Sequence, residues 1–229
     1  MGALSPRNRV AFTTCRRIRR QIKLGRLKHP VTITGRDDRI MDLLADKADT
    51  TARAALIVST RGYVEDGLIL ARSLASLAID LNYLCKKDAD RFETFVANGR
   101  QARRKMIQQC GLTEPDEPNT DWADIKKRAK RWKQSGAIKQ RAEKGECLRL
   151  YEYAYRHASS FEHSDAWSLL TFSKRFQNLR EVIFHLAMLV VSFSLVFTHQ
   201  AWCRYFGVSD KVTEKAVKKH FHTAFPNAG

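Results

Sequence analysis

Between Tyr155 and His163 the chain sets a guanidinium (Arg156), two imidazoles (His157, His163) and two hydroxyls (Ser159, Ser160) close together, with Tyr151, Tyr153 and Phe161 beside them. If this stretch is helical, Arg156, Ser160 and His163 share a face. Steps of four and three residues turn through about 400° and about 300°, each close to a full circle. A guanidinium presents a planar fork of donors that matches a phosphate, and an imidazole exchanges a proton near neutral pH. Together they are the least that metal-free cleavage of a phosphodiester needs. One copy serves only one side of the phosphorus, so the chemistry implies a second. The same residues would equally form a polar network that locks two helices, with Arg156 paired to an acid.

A second polar stripe accompanies the first. Glu65, Arg72, Ser76 and Asp80 recur within an otherwise apolar run, which puts them on one arc of a helix. Charges taken out of water must be paired, so Arg72 either meets an acid on the bundle or joins Arg156 at a phosphate. Candidate nucleic-acid contacts are Arg16, Arg17, Arg19 and Arg20 near the start of the chain. Lys126, Lys127, Arg128, Lys130 and Arg131 form another set, with Trp122 and Trp132 among them. Cations interleaved with aromatics suit a nucleic-acid surface. A solvated basic face with docked tryptophans has the same pattern. His220 and His222 have no third ligand close in sequence, and no glycine-rich phosphate loop is present. No metal or cofactor is expected.

The elements that must position these groups are helices. Prolines stand only at 6, 30, 115, 118 and 226, and apolar residues recur at three- and four-residue spacing in the long stretches between. The expectation is an all-α antiparallel bundle of five to seven helices. The pattern predicts helices over about 8–24, 37–59, 63–86, 88–110, 122–134, 138–162, 175–206 and 209–222. Asp37 or Asp38 would cap the second, Gly111 and Gly207 would end the fourth and seventh, and 111–121 would be a loop. Three parts follow: a basic arm over 1–36, the helical domain over 37–207 and a basic tail over 208–229.

The chain has 229 residues, 44% hydrophobic and 28% charged, enough for a real core. Its 41 Lys+Arg against 24 Asp+Glu give +17, which argues against a small cationic substrate and favours a polyanion. Residues 1–36 hold ten Lys/Arg and no acid, a composition common to mitochondrial presequences and basic arms; an arm is expected. Five scattered cysteines with no C-x-x-C pair indicate neither a disulfide framework nor a zinc ribbon, so a reducing, cytoplasmic setting is expected. Residues 182–202, flanked by Arg180 and Arg204, are apolar and long enough to span a membrane. His185, Ser192, Ser194, His199 and Gln200 interrupt them, which favours a helix at the centre of a bundle over a membrane segment. So wide an apolar circumference exceeds what a small bundle hides, and a two-fold homodimer is expected.

Arg156, six residues, then His163, with a polar residue directly after the arginine, resembles the motif of the HEPN superfamily. Arg72-Ser73-Leu74 and the later run Tyr155, Arg156, Ser159, Phe161, His163, Ser164 also resemble an uncharacterised bacterial family of unknown function. That likeness spans about 40–205. Ser76 stands where an acid would follow Arg-Ser-Leu. The HEPN resemblance implies small all-α domains, often dimeric, that act as metal-independent RNases in bacterial defence and toxin systems. RNA would be the substrate, with an antitoxin or defence protein as a further partner. His163 would be general acid or base, and Arg156, with Arg72, would stabilise the phosphorane. Ser159, Ser160 and His157 would orient the imidazole or the phosphate. The alternative is a non-catalytic nucleic-acid-binding or interaction module.

Overall fold

A computed structural model describes residues 4–112, 120–134, 138–159 and 177–225. The described chain is all-α, with no strand among the described residues. In order come α1 (Pro6–Lys28), α2 (Arg36–Thr60), α3 (Val64–Leu84), α4 (Ala89–Gln109), α5 (Trp122–Gln134) and α6 (Ile138–Lys144). Then follow α7 (Leu148–Leu150), a π-helical turn (Tyr151–Tyr155), α8 (Arg156–Ser159), α9 (Gln177–Phe206) and α10 (Lys211–Ala224).

Helix ends follow from local chemistry. Ser5 caps α1, with Pro6 in its first turn; Asp88 caps α4, Asp121 caps α5 and Asp210 caps α10. The expected aspartate cap of α2 sits deeper. Gly35 is the cap residue, and Asp38 reaches back to the backbone and hydroxyl of Thr34. Those bonds, the Thr34 hydroxyl first, hold the Asp38 carboxyl below its ordinary pKa.

α3 and α9 form the centre, with α2 against both. Small residues make the close approach possible: Ala45, Ala48, Ala52 and Ala55 on α2, and Ala71, Ala75 and Ala78 on α3, are all buried. A Cβ on Gly67 would collide with the Ser59 hydroxyl, so α2 and α3 meet through a glycine. α9 contributes Ile183, Phe184, Met188, Val191 and Leu195 to the main core. Both α3 and α9 are long and apolar enough to cross a membrane by length and composition; in the fold they pack on each other. Ser192 on α9 is buried against the Cys15 thiol, 2.8 Å away.

The segments expected as arm and tail join this same core. α1 buries Ala11, Cys15, Ile18 and Ile22 against α9, and α10 packs Val217 and Phe221 beside it. On the other side, α5 lies along α4, with Trp132 buried among Tyr83, Phe95 and Phe92.

The helix expected over 138–162 is broken at 145–147. Glu146 adopts φ 57°, its N–H bonds to Glu143, and Cys147 N–H bonds back to Ala142. This is a left-handed helix stop. A Cβ on Gly145 would lie 2.9 Å from the Tyr83 nitrogen. The break therefore exists to let α6 come down on the backbone of α3.

Candidate active site

The site forms where the polar stripe of α3 faces residues 151–159. Arg72 reaches across the interface: its Nε donates to Ser159 Oγ at 2.9 Å, and a terminal nitrogen donates to the Tyr155 hydroxyl at 2.8 Å. The guanidinium also lies over the Tyr155 ring, 4.8 Å from its centroid. Ring and fork together fix the cation in two dimensions. Tyr155 and Ser159 are one helical turn apart, so both point the same way. Tyr151 stacks on Tyr155, with ring centroids 5.6 Å apart.

The backbone below is unusual. Residues 151–155 wind as a π turn, with the Arg156 N–H bonded to the Tyr151 carbonyl. Such turns are rare and concentrate at functional sites.

Each hydroxyl accepts from Arg72 and keeps its own proton to donate. A cation backed by two O–H donors is suited to an anionic oxygen. Arg156, the first residue of α8, is exposed. Ser160, His163 and the His157 side chain lie outside the described residues. Of the expected site residues, the fold thus joins Arg72 with Ser159. It adds Tyr155, which sequence reasoning had used only as part of a motif; its spacing of four from Ser159 was the available signal.

The rest of the α3 stripe divides. Asp80 pairs with Arg141 of α6 at 2.8 Å, with both side chains largely buried. Burial pushes the Asp80 pKa up, and the Arg141 charge and hydrogen bond oppose it. Glu65 has a buried oxygen without a hydrogen-bond partner among the described residues. Ser76 is half-buried between these groups.

The expected nucleic-acid contacts also separate. Arg16, Arg17 and Arg20 are exposed, while Arg19 is bound to Asp49. Lys126, Lys127 and Lys130 are exposed, whereas Arg128 pairs with Asp124 and Glu93, and Arg131 with Asp90. Trp132 is a core residue, and Trp122 stacks under Arg104.

Residues 40–179 match the family of unknown function DUF5677. The chain belongs to this family. The DUF5677 region begins inside α2 and ends in the first turn of α9, so it contains both sides of the Arg72 contact. α1 and α10 lie outside it. No curated protein and no solved structure matches the chain.

Proposed function

We propose that the protein is a metal-independent endoribonuclease of the HEPN type, working as a two-fold homodimer in the cytoplasm as a toxin or defence effector. One observation carries the reading. Arg72 grips Tyr155 and Ser159 across the interface, one residue before and three residues after Arg156, with which the stretch resembling the HEPN motif begins. Two polar stripes far apart in sequence therefore converge on a place suited to a phosphate.

In this reading His163 removes the proton of a ribose 2′-hydroxyl, and the oxygen attacks the adjacent phosphorus. The P–O5′ bond breaks, and the partner copy's imidazolium gives its proton to the departing 5′-oxygen. Arg156 and Arg72 stabilise the charge gathering on the phosphorane oxygens, with Ser159 and Tyr155 as O–H donors and Ser160 and His157 orienting. The products are a 2′,3′-cyclic phosphate and a 5′-hydroxyl. DNA lacks the attacking group and is not cut.

The test is incubation with total RNA in EDTA, wild type beside His163→Ala and Arg72→Gln. Loss of the general base lowers turnover by about 10²–10⁴-fold, while both variants keep their helical circular dichroism. Unchanged cleavage in His163→Ala ends the proposal.

A second reading, a non-catalytic nucleic-acid-binding or interaction module of a defence system, rests on a different feature. The cations Arg16, Arg17 and Arg20 on α1, with Lys215, Lys218 and Lys219 on α10, are exposed. Salt-sensitive RNA binding with no cleavage in the wild type would select it.

A further inference from the structure

Among the described residues two large aromatic rings stand exposed, Tyr63 at 61% and Tyr153 at 57%. Their surroundings differ. Tyr63 is followed by Glu65 and Asp66 in the first turn of α3, carboxylates that repel a polyanion. Tyr153 lies in the π turn, with Arg149 four residues before it and Arg156 three after, both exposed. Spacings of four and three put these side chains on one outer face. The two arginines are about 10 Å apart along the axis.

Neither Arg149 nor Arg156 has an ion pair or a side-chain hydrogen bond among the described residues. Arg72, Arg128 and Arg141, by contrast, are each committed to a partner. Glu152 is exposed beside the pair and binds neither.

The ring is also seated. Tyr153 and Ala154 form a crevice of about 20 Å³ with Leu189, Val190 and Phe193 of α9, too small for a ligand of its own. Tyr153 thus stands against the central helix while more than half of it faces solvent. A ring held in place this way loses little freedom when something stacks on it.

An aromatic face between two unpaired cations matches an unpaired nucleotide. The ring stacks on the base, and the guanidiniums take the adjoining phosphates. Duplex RNA keeps its base faces inside the stack and offers only backbone and groove edges. We propose that Arg149, Tyr153 and Arg156 form a platform for one unpaired RNA base, with Arg156 at the phosphate to be cut. The platform rests on the endoribonuclease reading of the same site and narrows its substrate to single strands and loops.

The test is fluorescence anisotropy with a short labelled 2′-O-methyl RNA, which has no free 2′-hydroxyl and therefore stays uncut. The single strand binds at least about tenfold more tightly than the same strand in a duplex. Tyr153→Leu keeps an apolar contact with α9 but has no π face. It weakens the single strand by about five- to a hundredfold, the range of one lost base stack. Tyr153→Trp keeps the affinity, and Arg149→Gln lowers the magnitude of the log–log salt slope by about 0.7. The altered side chains are exposed, so all three variants keep their helical circular dichroism.

No binding of the single strand overturns the proposal, as does equal affinity for the duplex or an unweakened Tyr153→Leu. A halved mass of Tyr153→Leu by light scattering, with RNA affinity unchanged, makes the ring a contact between copies and overturns it too. Cleavage of the unmodified strand in EDTA is scored separately. RNA that stays uncut yet needs Tyr153 for binding ends the nuclease reading and upholds the platform.

Discussion

α1 and α5 are the two most basic helices of the chain, and they use their charge in opposite ways. α1 carries nine cations and no acid; α5 carries six cations and one aspartate. Yet α1 is the deeper element, with Ala11, Cys15 and Ile18 fully buried beneath its charged face. Its outer cations Arg16, Arg17 and Arg20 run on toward α10, where the charges of Arg17 and Lys219, after burial, help hold the His220 pKa down. On α5, Arg128 and Arg131 are spent on acids of α4 and of its own first turn. Net charge alone thus fails to locate a polyanion surface. What matters is which cations lack a carboxylate, and a buried helix can present them better than a free arm.

Core substitutions test this contrast most strongly. Ile18→Ala should cost about 2–5 kcal/mol by urea denaturation, whereas Ile125→Ala on α5, at the edge of a small cluster, should cost no more than about 2 kcal/mol. Equal losses would return α1 to the status of an arm. Next comes binding. Replacing Arg16, Arg17 and Arg20 by Gln should lower the magnitude of the log–log salt slope for single-stranded RNA by about 2, at about 0.7 per lost phosphate contact. The same change at Lys126, Lys127 and Lys130 should lower it less, and the reverse order would move the binding face to α5.

Acidity gives a smaller, one-sided effect. His199, buried under α1, has a pKa below the ordinary imidazole value, chiefly from burial. The unfolded chain therefore takes up its proton first, so stability is full above about pH 6.5 and falls as the pH drops toward the folded value. His185 on the same helix adds in the same sense, through burial and the nearby Arg7 charge. Urea midpoints should fall between about pH 7 and about pH 5.5, and His199→Gln should flatten the fall. A midpoint insensitive to pH in the wild type would contradict this. The smallest change belongs to α5: Arg131→Ala, which removes a half-exposed pair with Asp90, should shift stability by less than about 1 kcal/mol.

Much of the fold was legible because its signals are local. Gly111 and Gly207 mark helix ends by their own chemistry, and apolar spacing placed α2, α3, α4, α5 and α9 to within a few residues. The unread features are tertiary. The break at 145–147 comes from the nearness of Gly145 to α3, which no spacing announces. Likewise the stripe on α3 named Arg72 and Asp80, but only the fold separates them, one toward Tyr155 and Ser159 and the other toward Arg141. On α1 the charge is plain in the sequence, while the packing of Ala11, Cys15, Ile18 and Ile22 against α9 is tertiary.

The π turn at 151–155 has a meaning for reading relatives of this chain. A turn closed from residue i to i+5 takes in one more residue than an ordinary turn. Both flanks still reach their partners, Leu150 in the core and Ser159 at Arg72. The turn thus behaves as a one-residue insertion that the fold has absorbed locally. A relative one residue shorter between 150 and 156 would wind as plain α-helix and keep its serine opposite its arginine. A gap aligned there marks a change of winding, and residues on either side of it remain equivalent.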